Sequence, residues 1–148
     1  ALLEYLRNRG YVGEAVETED RLTISMPREL FTNANIETLQ QIVTARAPIL
    51  KKAFLADSLE AVVTDTTVIF PWFPFTAESD EVNAYSAFVS KLCDMARRQK
   101  RVVAVVSETD NDKYAFRCFL LRLGFIGDEY KIARKVLLRY LTGNSAFR

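Results

Sequence analysis

The side chains of this chain best placed to do chemistry are cations. Between Asp128 and Leu141, Lys131, Arg134, Lys135 and Arg139 fall on one side of a helix with a 3.6-residue period, while Ile132, Ala133, Val136, Leu137, Tyr140 and Leu141 fall on the other. Leu138 interrupts the basic face. A stripe of this kind can follow the phosphates of a nucleic acid, each contact releasing counterions and steering association. Arg117 and Arg122, in the segment before it, are candidate supports. The two segments joined through Gly124-Phe125-Ile126-Gly127 have the rough layout of a helix-turn-helix. A basic face on a terminal helix also has a plainer account, solvation together with the preference of cations for helix C-termini. A second basic cluster, Lys91, Arg97, Arg98, Lys100 and Arg101, carries the same two readings.

Other chemistries are mostly removed by composition. With no histidine, the usual general base, nucleophile activator and commonest metal ligand are all missing. Cys93 and Cys118 lie in apolar helical stretches and form no Cys-x-x-Cys pair, so they are expected as free core thiols in a reducing compartment rather than as a zinc site. The five glycines sit where helices begin or end, and none belongs to a phosphate-binding loop. Glu78, Asp80 and Glu81 cluster at a helix start, where carboxylates complement the helix dipole; a magnesium site or a carboxylate hydrolase could be built from such groups, but nothing in the spacing selects one. No catalytic residue, metal or cofactor is therefore assigned, and a non-catalytic protein is expected.

A different kind of candidate is Phe70-Pro71-Trp72-Phe73-Pro74-Phe75, four aromatics in six residues stiffened by two prolines. One account has Phe70 and Phe75 plugging a junction while Trp72 covers an edge. The other makes Trp72 and Phe73 an exposed aromatic patch that meets a protein partner or stacks on bases.

The elements that must position these groups repeat. Glu14-Ala15-Val16-Glu17-Thr18-Glu19 returns as Glu60-Ala61-Val62-Val63-Thr64-Asp65, a Pro-x-x-x-Phe-Thr element follows at Pro27 and again at Pro71, and Ile36, Leu39, Ile42 and Val43 match Val82, Tyr85, Phe88 and Val89. A repeat of this length is a supersecondary unit that stacks on its neighbour. Leu2 to Leu6 predict a short helix ending at Gly10, and Gly13 to Thr18 and Arg21 to Met26 predict a hairpin turning at Glu19-Asp20. A helix then starts with Thr32 or Asn33 as its cap, carries Ile36, Leu39, Ile42, Val43, Ile49 and Leu50 on one side, and is kinked at Pro48. The second copy predicts strands near Leu59 to Thr64 and Thr67 to Phe70 and a helix from about Ser79 to Gln99.

A divergent third copy opens at Val103-Ala104-Val105-Val106-Ser107-Glu108 and gives way to two helices. Lys113 to Leu123 is apolar nearly all round and is expected in the interior or at a subunit interface. Gly124 ends it with Phe125 and Ile126 packing back, and the last helix runs through Leu141 to Gly143. The chain is thus expected to be one α+β domain over 1–148. Internally duplicated helix-hairpin (αββ) units, approximately 1–46 and 47–92, form one largely antiparallel sheet with helices packed on it, and the divergent third copy with a C-terminal helical pair follows over approximately 93–148. Charge divides the same way. Ala1 to Asp112 carries 12 basic and 17 acidic side chains, while Lys113 to Arg148 carries 8 basic and 2 acidic, so a whole-chain net charge of +1 hides a basic tail on an acidic body. No apolar run approaches the roughly 20 residues that span a bilayer, so no membrane partner is expected.

Over its final third the wording is specific. Lys113-Tyr114-Ala115-Phe116-Arg117-Cys118-Phe119-Leu120-Leu121-Arg122-Leu123-Gly124-Phe125-Ile126-Gly127, with Glu129-Tyr130-Lys131, Ala133-Arg134-Lys135 and Leu141-Thr142-Gly143-Asn144-Ser145-Ala146-Phe147, resembles a "virulence-related" protein family of prophages and conjugative elements in Gram-positive bacteria. Met26-Pro27-Arg28-Glu29 and Phe70-Pro71-Trp72-Phe73 add looser support. The resemblance implies a bacterial cytoplasm, a mobile-element setting and further N-terminal sequence before Ala1, and it brings no catalytic residues. Two functions follow as expectations. The first is an accessory protein that binds DNA or RNA through Lys131, Arg134, Lys135 and Arg139. The second is a protein-interaction or homodimerisation module using the apolar helix from Phe116 to Leu123 or the segment around Trp72.

Overall fold

The computed structural model describes residues 21–99 and 111–141. The strand at Gly13 to Thr18, the helix ending at Gly10, the third copy at Val103 and the closing Gly143 lie outside them, as do Lys100 and Arg101. The described chain is α+β, with helices packed on a three-stranded antiparallel sheet.

Alternation sets the first strand. In β1 (Arg21–Pro27), Leu22, Ile24 and Met26 are partly buried while Thr23, Ser25 and Pro27 are exposed, as a sheet with one covered face requires. β1 pairs with β3 (Thr67–Pro74), and β3 also pairs with the two-residue β2 (Val62–Val63), giving the order β1-β3-β2. The second hairpin is therefore present, with its first strand shorter than the Leu59 to Thr64 expected.

The larger departure is that β3 runs straight through Pro71 and Pro74, which were expected to form a connection. Proline deletes a ladder donor, so a central strand normally excludes it. Two features allow it here. β2 reaches only as far as Ile69, so that among the described residues no strand pairs with Pro71 on that side, and the pairing with β1 shifts between Leu22↔Phe73 and Ile24↔Phe70. Pro71 and Trp72 thus oppose Thr23 alone, a β-bulge that relaxes the ladder where proline cannot bond. The bulge also breaks the alternation, so that Trp72 and Phe73 are both buried although adjacent in sequence.

Thr32 caps the first helix, α1 (Asn33–Ala45), in a reciprocal box: its hydroxyl accepts from the Asn35 N–H at 3.0 Å and its own N–H donates to the Asn35 side chain at 3.0 Å. Pro48 does more than kink the helix. It cannot donate to the preceding turn, and the chain breaks at Arg46 and restarts as α2 (Ala47–Phe54), with the proline in the first turn where no donor is needed. Arg21 ties this helix to the sheet, donating to the carbonyls of Phe54, Leu55 and Trp72.

The long helix α3 (Ser79–Arg98) buries Tyr85, Phe88, Val89 and Leu92, following the expected stripe. The matched positions Leu39, Ile42 and Val43 on α1 are buried too, and α1 and α3 touch. Phe54 sits at the centre of the core. Its ring lies 4.7 Å from that of Phe73, 5.1 Å from Phe88, 6.1 Å from Tyr85, 6.3 Å from Phe116 and 6.5 Å from Trp72, at separations typical of favourable aromatic pairs. Residues from β3, α2, α3 and the C-terminal half are thereby joined in one core.

The C-terminal pair consists of α4 (Asp112–Leu123) and α5 (Lys131–Leu138). α4 is less enclosed than its composition suggested: Phe116, Phe119, Leu120 and Leu123 are buried, while Tyr114, Ala115, Cys118 and Leu121 are half-buried. Among the described residues no helix is long and apolar enough to cross a membrane.

Candidate functional site

Both ends of α4 are pinned. The Asn111 side chain accepts from the Tyr114 N–H at 3.0 Å, and the nearly buried Asp112 carboxylate receives Lys52 of α2 at 2.8 Å. At the other end Gly124 takes φ +111°, a left-handed conformation that favours glycine, and lets the N–H groups of Gly124 and Phe125 reach the carbonyls of Leu121 and Leu120. Phe125 is buried where this turn packs back, but Ile126, expected to pack with it, is 63% exposed because the chain has already turned outward.

Residues 124–130 connect the helices and include a short 3-10 turn at Asp128–Tyr130. This is longer than the three- or four-residue turn of a helix-turn-helix, so the pair does not have that motif's geometry. The connection is held from both sides. Arg134 of α5 donates to the carbonyls of Phe125 (2.9 Å) and Gly127 (3.0 Å), and the Lys91 ammonium of α3 lies 4.5 Å from the centre of the Tyr130 ring and 5.5 Å from that of Phe125. α5 then packs on α3, burying Val136, Leu137 and Leu138, with Leu141 buried just beyond it. The faces of α5 are rotated from those expected. Leu138 is inside and Ile132 and Tyr140 are exposed; Tyr140 lies beyond the helix, which stops at Leu138.

The rotation brings α5 cations against α4. A groove of about 470 Å³ lies between the two helices, lined by Lys113 and Arg117 of α4 and by Arg134, Lys135, Leu138 and Arg139. Four of the six basic candidates meet here: Arg117, Arg134, Lys135 and Arg139. Lys131 and Arg122 are exposed and line other surface. Lys113 was missed, although its spacing of four from Arg117 places both on one helix face. Arg122 lies instead near Arg46, whose guanidinium stacks 4.1 Å from the Phe119 ring centre. Burial, and then the charge of Arg122, hold Arg46 below its usual basicity. In the second basic cluster, Lys91 turns to the connection and Arg97 pairs with Asp94 at 3.2 Å; neither lines the groove.

Within the groove the cations are held differently. Arg139 bonds the Glu81 carboxylate at 2.7 Å and the Tyr85 hydroxyl at 3.3 Å, and its guanidinium lies 4.7 Å from the Tyr140 ring centre. That bond, and one from Thr76, hold the Glu81 carboxyl below the usual carboxylate range, while burial raises the Tyr85 phenol. The carboxylate cluster at the α3 start thus gives one member to the groove's rim. Among the described residues Arg139 is the one groove cation with an ion pair, and Lys113, Arg117 and Lys135 have none there.

A comparison with protein-family models, curated proteins and solved structures found no match. The groove's chemistry is therefore read from its own residues.

Trp72 and Phe73 are elsewhere, 1% and 0% exposed, with the Trp72 indole donating to the Glu60 carbonyl at 3.1 Å. Their reading as an exposed patch is overturned by the bulge that turns both inward. Of the aromatic segment, Phe75 is the exposed member at 65%, contrary to its expected role as a plug. A second cavity, about 140 Å³ between α1 and the sheet, is walled mainly by apolar side chains, Ile36, Leu39, Val43 and Trp72 among them. Among the described residues no group of three or more Cys, Asp or Glu side chains could hold a metal, and burial pushes the Cys93 thiol up to about 12, which makes it a poor nucleophile.

Proposed function

We propose that this is a non-catalytic accessory protein that binds DNA or RNA through the groove between α4 and α5. One observation carries the reading: five cations from two helices meet on one groove, and one of the five is neutralised by a carboxylate. Like charges gathered without matching acids cost electrostatic energy, and a polyanion recovers it while releasing its own counterions. The alternative interaction module loses its aromatic anchor, since Trp72 and Phe73 fill the core. The resemblance of the final third to mobile-element proteins agrees with the reading and adds a bacterial cytoplasm as its setting.

The rest of the chain is read as scaffold, an internally duplicated αββ body. Support comes from β1 followed by α1 and β3 followed by α3, with the matched positions Leu39 and Tyr85, Ile42 and Phe88, and Val43 and Val89 buried in both copies.

The test is fluorescence anisotropy with labelled random-sequence DNA and RNA in low salt, comparing wild type with the triple variant Lys113→Ala, Arg117→Ala, Lys135→Ala. Among the described residues these three make no side-chain hydrogen bond or ion pair, so the variant is expected to fold and to bind at least tenfold more weakly, as loss of about three phosphate contacts implies. Lys131→Ala, outside the groove, should lose much less. Absence of binding by wild type, or equal binding by the triple variant, would refute the proposal.

A further inference from the structure

We infer that the strand held in this groove is single-stranded, with a base stacked on the ring of Tyr140. The inference rests on the nucleic-acid reading above and adds the element that recognises bases. Tyr140 is an exposed aromatic beside a basic groove, 40% open to solvent and adjacent in sequence to the lining residue Arg139. Its place is fixed through that arginine. Two guanidinium donors of Arg139 are taken by Glu81 and Tyr85, which leaves its flat face to lie on the Tyr140 ring at 4.7 Å. A guanidinium held by two hydrogen bonds does not swing freely, so the ring that lies against it is kept beside the lining residue Arg139.

A base placed on that ring continues the stack of guanidinium and phenol, while its backbone reaches Lys113, Arg117 and Lys135. Cations following a backbone, with an aromatic ring beside them, form the platform by which single strands are held without sequence preference. A duplex cannot use it in the same way. Its bases are paired and already stacked on one another, so it can offer the groove phosphates but no free base face. Leu138, 8% exposed, adds an apolar wall to the groove, which suits a base or sugar better than a second phosphate.

The experiment compares three labelled ligands in low salt with the full chain: a short oligothymidylate, an abasic strand of equal length and charge, and a duplex of the same length. Oligothymidylate is expected to bind about tenfold tighter than the abasic strand, the gain of one stacked base, and tighter than the duplex. Tyr140→Leu should bring the ratio of oligothymidylate to abasic affinity close to one, whereas Tyr140→Phe should keep it. Because both affinities are measured on the same preparation, partial loss of folded protein leaves the ratio unchanged. Equal binding of oligothymidylate and abasic strand by wild type, tighter binding of the duplex, or a ratio insensitive to Tyr140→Leu overturns the single-strand inference while the phosphate-binding groove stands. If none of the three ligands binds, both readings fall.

Discussion

At the scale of single residues, the same side-chain type does different work according to what surrounds it. Arg134 braces a turn, Arg139 ties α5 to α3, and Lys135 beside them is exposed, without an ion pair among the described residues. The Glu81–Arg139 pair has a pH signature. Because the folded carboxyl lies below its unfolded value, the pair's contribution is present above the unfolded pKa of about 4.3 and is lost as pH falls through the folded one. Glu81→Gln should therefore cost about 1 kcal/mol at pH 7, and denaturation curves of variant and wild type should converge in acid. Trp72, the only tryptophan, reports on the core directly. Its emission should be blue-shifted and poorly quenched by iodide. Trp72→Phe should lower stability by about 2 kcal/mol in urea, since the Glu60 carbonyl loses its donor and the smaller ring leaves space behind.

At the scale of elements, what was legible in the sequence was what neighbouring residues decide. The period of Tyr85, Phe88, Val89 and Leu92 placed α3 within a residue of its observed end, the expected cap at Thr32 or Asn33 is Thr32 at the start of α1, and Gly124 marked the end of α4. β3 was expected only from Thr67 to Phe70, and the features that let it continue through Pro71 and Pro74, a short neighbour and a bulge, depend on pairing with distant residues. The α4–α5 connection can be tested as a unit. A Cβ on Gly124 would meet the Lys91 ammonium at an ordinary 3.5 Å, so Gly124→Ala carries backbone strain rather than a clash. Its expected cost is about 1 kcal/mol by urea denaturation. Nucleic-acid binding should weaken in proportion if the turn sets the spacing of the groove's two walls.

At the scale of the molecule, a net charge of +1 gives little long-range attraction to a polyanion, so the proposed binding rests on the groove itself. For about three to five phosphate contacts with a single strand, the slope of log K against log salt should be about −2 to −3.5. The triple variant at Lys113, Arg117 and Lys135 should flatten it by about 2, measured by salt titration of anisotropy. An unchanged slope would mean that cations elsewhere on the surface hold the ligand. The aromatic core matters to this outcome because Phe54 contacts rings of β3, α3 and α4 together, fixing α4 against the body on which α5 also docks.

The sequence by itself determined the α+β class, the limits of α3 and α4, the absence of histidine chemistry and the concentration of positive charge after Asp112. Each follows from composition or from residues within a few positions of one another. Tertiary structure alone decided which cations act together and which aromatics face water. Lys113 and Arg117 meet Lys135 and Arg139 because α5 docks on α3 at a particular rotation, with Leu138 turned inward. Trp72 and Phe73 are enclosed because their strand bulges against β1, about 50 residues away in the chain. Rotation of a docked helix and register of a strand pair are set by packing between distant segments, and local periodicity does not encode either.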